Sequence, residues 1–189
     1  SDGTVWTWGY NGDGERGDGT IGGWDHTLMQ VPGITDAVAV SAGGYHALVV
    51  RSNGTVAAWG RNTEGQLGDG TFITRGYPVL VANLTNVRFA TGGLFHSLAI
   101  LDDGAVRVWG DNGSGQLGTG DFTRATLPIQ PIGITSALEV AGGYSHTVFL
   151  KPDRTVWGCG ANGNGQLGTP SLGYSLTPVQ MPGLQNVEN

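Results

Sequence analysis

Short apolar runs recur along this chain at a constant step. Leu48-Val49-Val50, Leu98-Ala99-Ile100-Leu101 and Val148-Phe149-Leu150 are too short for helices and have the length of strands buried on both faces. Each is closed by a polar turn sequence: Ser52-Asn53-Gly54, Asp102-Asp103-Gly104, Pro152-Asp153-Arg154. Asn-Gly and Asp-Gly at this place predict two-residue hairpin turns, which require positive φ. A second short strand then ends in tryptophan: Val5 to Trp8, Val56 to Trp59, Val106 to Trp109. A Gly/Asn-rich loop, a proline-bearing extended stretch and a further strand follow (Asp36 to Val40, Asn86 to Ala90, Ser136 to Val140). A Gly-Gly pair leads back to the first run. Four short strands per period of about 50 residues predict β-propeller blades.

The register is kept by many independent markers. Trp8-Gly9, Trp59-Gly60 and Trp109-Gly110 lie 51 and 50 residues apart, and Cys159-Gly160 follows with cysteine in the tryptophan slot. Asn11, Asn62, Asn112 and Asn162 keep the same step. Gly65-Gln66-Leu67-Gly68 recurs from Gly115 and from Gly165, with a degenerate first copy, Gly14-Glu15-Arg16-Gly17. His46, His96 and His146 each precede the tryptophan slot by 13 residues. The extra residue of the first copy falls between Gly17 and Ile34 and reads as a loop insertion. The chain is therefore one repeat domain, 1–189, with units 3–53, 54–103, 104–153 and a shortened 154–189.

The pattern Asp-Gly-x-Val-x-x-Trp-Gly-x-Asn-x-x-Gly-Gln-Leu-Gly, followed by proline and by Gly-x-x-His before an apolar strand, resembles the repeat of the regulator of chromosome condensation. Asp103 to Gly118 and Gly143 to Leu150 carry it almost letter for letter. The resemblance implies an all-β propeller of the seven-bladed type, of which this chain holds just under four repeats. It also implies the founding role, guanine-nucleotide exchange on a small GTPase docked to chromatin. That role uses an insertion outside the repeats and a basic tail, and this sequence carries neither.

Composition narrows the choice. Glycine fills 35 of 189 positions, which opposes helices, since each glycine inside one costs about 1 kcal/mol relative to alanine. The net charge is −6 with a single lysine, so no basic stripe exists for phosphate contacts and no nucleic-acid partner is expected. No apolar run reaches membrane-spanning length, and no membrane partner is expected. The low-lysine, hydroxyl-rich surface is compatible with a secreted or cell-surface protein.

No catalytic, cofactor or metal site is expected. The G-x-G-x-x-G matches at Gly12, Gly113 and Gly163 open no helix and recur with the repeat, so they read as turn glycines. The histidines, spread by blade repetition, are expected to bond backbone within their own blades rather than converge on an ion. Trp8, Trp59 and Trp109 are expected to be packed. Trp6 and Trp157 are expected on the opposite side from that slot, and Trp24 in the loop with the insertion. These three, together with Phe72, Arg75, Phe122 and Arg124 in the variable loops, are the candidate partner contacts, being the aromatic-plus-arginine type of binding hot spots.

The reading favoured is a non-enzymatic protein-interaction scaffold presenting variable loops on a rigid ring. The alternatives are the exchange factor and an inhibitor of an enzyme such as a β-lactamase, by fold-level analogy. Uncovered blade faces also predict self-association that completes a ring, or membership of a longer chain.

Overall fold

Alternation of short apolar segments with tight turns produces fourteen strands and no helix among residues 2–188, the residues described by the computed structural model. They are β1 (Trp6–Tyr10), β2 (Trp24–Gln30), β3 (Ala37–Ala42), β4 (His46–Arg51), β5 (Val56–Gly60), β6 (Arg75–Leu80) and β7 (Val87–Gly92). The chain continues with β8 (His96–Leu101), β9 (Val106–Gly110), β10 (Ala125–Ile129), β11 (Glu139–Gly142), β12 (His146–Leu150), β13 (Val156–Ala161) and β14 (Tyr174–Gln180). β3 to β6, β7 to β10 and β11 to β14 form three four-stranded antiparallel blades, and β1 and β2 form a two-stranded sheet. The first strands of the blades, β3, β7 and β11, lie beside one another, which places them on the inside of the arc. Each blade starts with the last two strands of the preceding sequence unit, so the unit boundaries at 54, 104 and 154 fall inside blades.

The hairpin joining β4 to β5 is not the expected two-residue turn. Gly54 N donates to Arg51 O at 2.9 Å and Arg51 N to Thr55 O at 2.9 Å, leaving three residues in the loop. Of these, Gly54 alone has positive φ (75°), as in a type I turn followed by a glycine bulge. Asn53 serves instead through its side chain, whose Oδ1 accepts from Thr55 N and Oγ1. Asp103 and Asp153 accept likewise from Ala105 N and Thr155 N.

The glycine after each tryptophan has a different cause. Gly60 sits at φ 102° in a break of register between β5 and β6, and a Cβ there would lie 2.5 Å from Tyr45 O. Only glycine permits that approach.

The core lies between blades rather than within one. Leu48, Val56, Leu98, Trp109, Leu117, Phe149 and Cys159 belong to one buried cluster that runs through all three full blades. Burial of the Cys159 thiol pushes its pKa up, so it is an inert packing residue.

Candidate protein-interaction face

Topology gives the propeller two ends. The hairpin turns at 51–55 and 101–105 mark one. The β3–β4 turn and the long loops following β5 and β9 mark the other.

A buried asparagine organises each long loop. Asn62 Oδ1 accepts from Leu67 N at 2.9 Å, while its Nδ2 donates to Thr71 O and Ile73 O at 3.1 Å each. Asn112 repeats this with Leu117 N at 2.9 Å and with Asp121 O and Thr123 O at 3.0 Å each. Asn11 and Asn162 hold the first and last loops through Arg16 N and Thr20 O, and through Leu167 N and Ser171 O. All four side chains are buried. Sequence reasoning registered the asparagine step and assigned it no role. Its signal was an amide residue held at fixed spacing while the loop around it varied.

These pinned loops carry apolar tips. Ile21, Phe72, Phe122 and Leu172 occupy one slot of the repeat, and each is more than half exposed. Among the expected contacts, Trp24 and Phe122 are exposed at this end, Trp24 edge-on to Tyr10 and Phe122 edge-on to Tyr174. Trp24 is the first residue of β2, not a loop residue as expected, and His26 follows in the same strand.

The loop-end arginines are anchored. Arg75 opens β6 with its guanidinium on Asp69 at 2.9 Å. Arg124 Nε lies 2.7 Å from Glu64 Oε2 and 3.6 Å from Asp111 Oδ1, on a half-exposed side chain. Arg16 bridges Asp18 and Asp25. Arg61, which the sequence did not single out, lies over the Phe95 ring at 4.9 Å and the Tyr45 ring at 5.7 Å, and those rings stack 5.6 Å apart.

Trp6 and Trp157 are not brought to this face. Their indoles donate to Thr4 Oγ1, just before β1, and to Thr155 Oγ1, at the β12–β13 turn. Trp6 also lies on the same side of β1 as Trp8, because residues two apart in a strand share a face; the expectation of opposite sides is overturned.

The tryptophan slot is an inter-blade lock. Trp59 Nε1 donates to Glu15 O at 2.8 Å and Trp109 Nε1 to Gln66 O at 2.9 Å, each reaching the turn of the preceding sheet. Cys159 Sγ makes the corresponding, longer contact to Gln116 O at 3.4 Å. Trp8 departs from the expected packing: it is 63% exposed, against 1% for Trp59 and 0% for Trp109. Among the described residues no turn stands against it.

The histidines also cross between blades, contrary to the own-blade backbone bonds expected. Ser97 Oγ donates to Gln66 O at 2.8 Å, so its oxygen accepts from His46 Nε2 at 2.8 Å. Thr147 Oγ1 donates to Gln116 O at 2.7 Å and accepts from His96 Nε2 at 3.0 Å. Both rings therefore carry hydrogen on Nε2, and their Nδ1 atoms have no partner. Burial lowers the His46 pKa to about 3 and the His96 pKa to about 4. Among the described residues no three His, Cys, Asp or Glu side chains converge as a metal site would require.

Repeat, blade and lock now have a common source. The regulator of chromosome condensation (RCC1) repeat matches residues 2–50, 53–100, 103–150 and 153–188. The chain belongs to the RCC1 repeat family. It is 36% identical over 86 residues to the ultraviolet-B receptor UVR8 of Arabidopsis thaliana, a match spanning 45% of this chain and 20% of that protein. It is 38% identical over 86 residues to the human E3 ubiquitin-protein ligase HERC2, spanning 43% of this chain and 2% of that one. Among solved structures, it superposes on Prp20p of Saccharomyces cerevisiae with a TM-score of 0.81 at 21% identity, covering 100% of this chain and 50% of Prp20p. Human WBSCR16 gives 0.81 at 23% identity, covering 96% and 48%. Both likenesses show the fold, and this RCC1-repeat chain spans about half of each.

Proposed function

We propose that this chain is a non-enzymatic scaffold that binds a protein partner through its loop end. The carrying observation is the row Ile21, Phe72, Phe122 and Leu172: one exposed apolar side chain per repeat, on loops held rigid by buried Asn11, Asn62, Asn112 and Asn162. Water disfavours such side chains, and rigid loops bury them against a partner at little entropic cost. Trp24 and Phe122 belong to this surface, and so does Arg124, whose half-exposed guanidinium borders it. Arg75 supports it by fixing the Phe72 loop to Asp69.

The test replaces Ile21, Phe72, Phe122 and Leu172 by serine together. The variant is expected to unfold at the same temperature as the parent and to lose a partner that the parent captures from a proteome. Equal capture by both proteins would overturn the loop-end assignment. The second reading, nucleotide exchange, follows from membership of a family that includes Prp20p, a protein described with binding properties to Gsp1p and histones. Accelerated nucleotide release from a small GTPase would put that reading in place of the scaffold.

A further inference from the structure

Five asparagines of this chain are followed by glycine: Asn11, Asn53, Asn112, Asn162 and Asn164. In an Asn-Gly pair the glycine has no Cβ to hinder attack by its own backbone nitrogen on the preceding carboxamide. At Asn112 the Gly113 nitrogen would bond to Cγ, the Cγ–Nδ2 bond would break, and the proton of the Gly113 N–H would end, through solvent, on the departing ammonia. Water then opens the cyclic imide to aspartate or to isoaspartate. The reaction needs no enzyme, only water, a solvent base and a carboxamide free to turn. The fold divides the five pairs. Asn11, Asn112 and Asn162 are 0%, 0% and 2% exposed. Both atoms of each carboxamide are engaged, those of Asn112 by Leu117 N and by the Asp121 and Thr123 carbonyls. Asn53 and Asn164 are exposed. Asn62, the remaining loop lock, is equally buried but is followed by Thr63.

We propose that Asn11, Asn112 and Asn162 are latent deamidation sites that the fold alone protects, so that unfolding opens three of the four loop locks to a change the chain cannot reverse. The products explain why position matters. The repeat counterparts of Asn53 are Asp103 and Asp153, whose carboxylates accept from Ala105 N and Thr155 N as Asn53 accepts from Thr55 N. An aspartate therefore fits the hairpin at 53. At 112 it would turn a second oxygen toward the Asp121 and Thr123 carbonyls, where only a donor is satisfied. A copy that has once unfolded and reacted returns with a weakened loop end, while a reaction at the hairpin end of a folded copy leaves it intact. The inference rests on burial, bonding and sequence, and stands or falls independently of the scaffold reading.

Incubation in mildly alkaline buffer, with and without urea, followed by mass mapping of peptides, tests it. In buffer, Asn53 and Asn164 are expected to convert. Asn112 should convert at least about a thousandfold more slowly there than in urea, since a folded chain is open for roughly 10⁻³ of the time or less. In urea, Asn11, Asn53, Asn112 and Asn162 should convert together and Asn62 should lag well behind. Gly113→Ala isolates the chemistry: a Cβ there would meet only the Asp111 carboxylate, at 3.4 Å, an ordinary contact. In urea this variant's Asn112 should slow to the rate of Asn62, while its Asn162 keeps the parent rate. Asn112→Asp, made directly, should unfold at a lower urea concentration than the parent, and Asn53→Asp at the parent's. Conversion of Asn112 in buffer at its urea rate, an Asn62 that keeps pace in urea, a Gly113→Ala chain that reacts like the parent, or an Asn112→Asp protein as stable as the parent would each overturn the proposal.

Discussion

Asn112 shows how one side chain can set a loop of variable sequence. It is buried, its amide meets three backbone groups, and the loop from Thr119 to Leu127 has no other partner of that kind. Asn112→Ala is expected to cost about 3 kcal/mol, since the removed bonds leave buried backbone groups unpartnered. Asn112→Asp should cost more, because a carboxylate would face the Asp121 and Thr123 carbonyls. Urea unfolding of both variants checks the order. Arg154 shows the opposite case, a residue at odds with its backbone. It occupies φ 65° where Gly54 and Gly104 stand at 75° and 86°. A side chain in the left-handed region costs about 1 kcal/mol or more, so Arg154→Gly should stabilise the protein by roughly that amount. An unchanged or lowered unfolding midpoint would show that the third hairpin does not bear this strain.

The strands carried most of the legible information. Apolar runs, turn sequences and the 50-residue step placed three strands of each blade, because a buried strand between polar turns leaves a local signature; the proline-bearing strands β6, β10 and β14 read only as extended stretches without bounds, their first residues as loop. What stayed illegible depended on neighbours. Trp8, Trp59 and Trp109 are identical in local pattern, yet burial separates them, since it is conferred by the preceding blade and not by the strand. The histidine partners were misread for the same reason: Ser97 and Thr147 lie 51 residues from His46 and His96, and no local rule points across blades. In the loops, the apolar tips were partly legible as Phe72 and Phe122, whereas the anchoring of Arg75 and Arg124 required the fold. The neighbour dependence has a measurable form. Trp59→Ala and Trp109→Ala should each cost about 3–5 kcal/mol, the range for a large aromatic removed from a packed site. Trp8→Ala, at low protein concentration, should cost under about 0.5 kcal/mol. Near-equal losses at all three positions would contradict the lock.

Across the whole molecule, the buried histidines join blade stability to pH. His46 ties the first full blade to the second, and His96 ties the second to the third, each as a neutral ring donating from Nε2. Burial is the main reason their protonation is disfavoured, and for His46 the neighbouring His96 adds to it. In the unfolded chain both would titrate near the ordinary value of 6.5. The folded values are lower, so below 6.5 the unfolded state binds protons that the folded state refuses. Stability is therefore full above that pH and falls as the pH drops toward about 4 for His96 and about 3 for His46. Within the window each histidine contributes a slope of about 1.4 kcal/mol per pH unit. The carboxylates of Asp18, Asp69 and Asp121, whose pKa values are lowered, act in the same direction but below the ordinary carboxylate range. Between pH 6 and pH 4.5 the decline should therefore be mainly the histidines', at about 2–3 kcal/mol per unit for the pair. Urea unfolding across that interval, with nitrogen shifts of the two rings followed in parallel, is the test. Rings that stay neutral at pH 5 while stability falls would fit inter-blade locks of this kind. Rings that titrate near 6.5 in the folded protein, with stability flat over the interval, would show that the blades are held together without them.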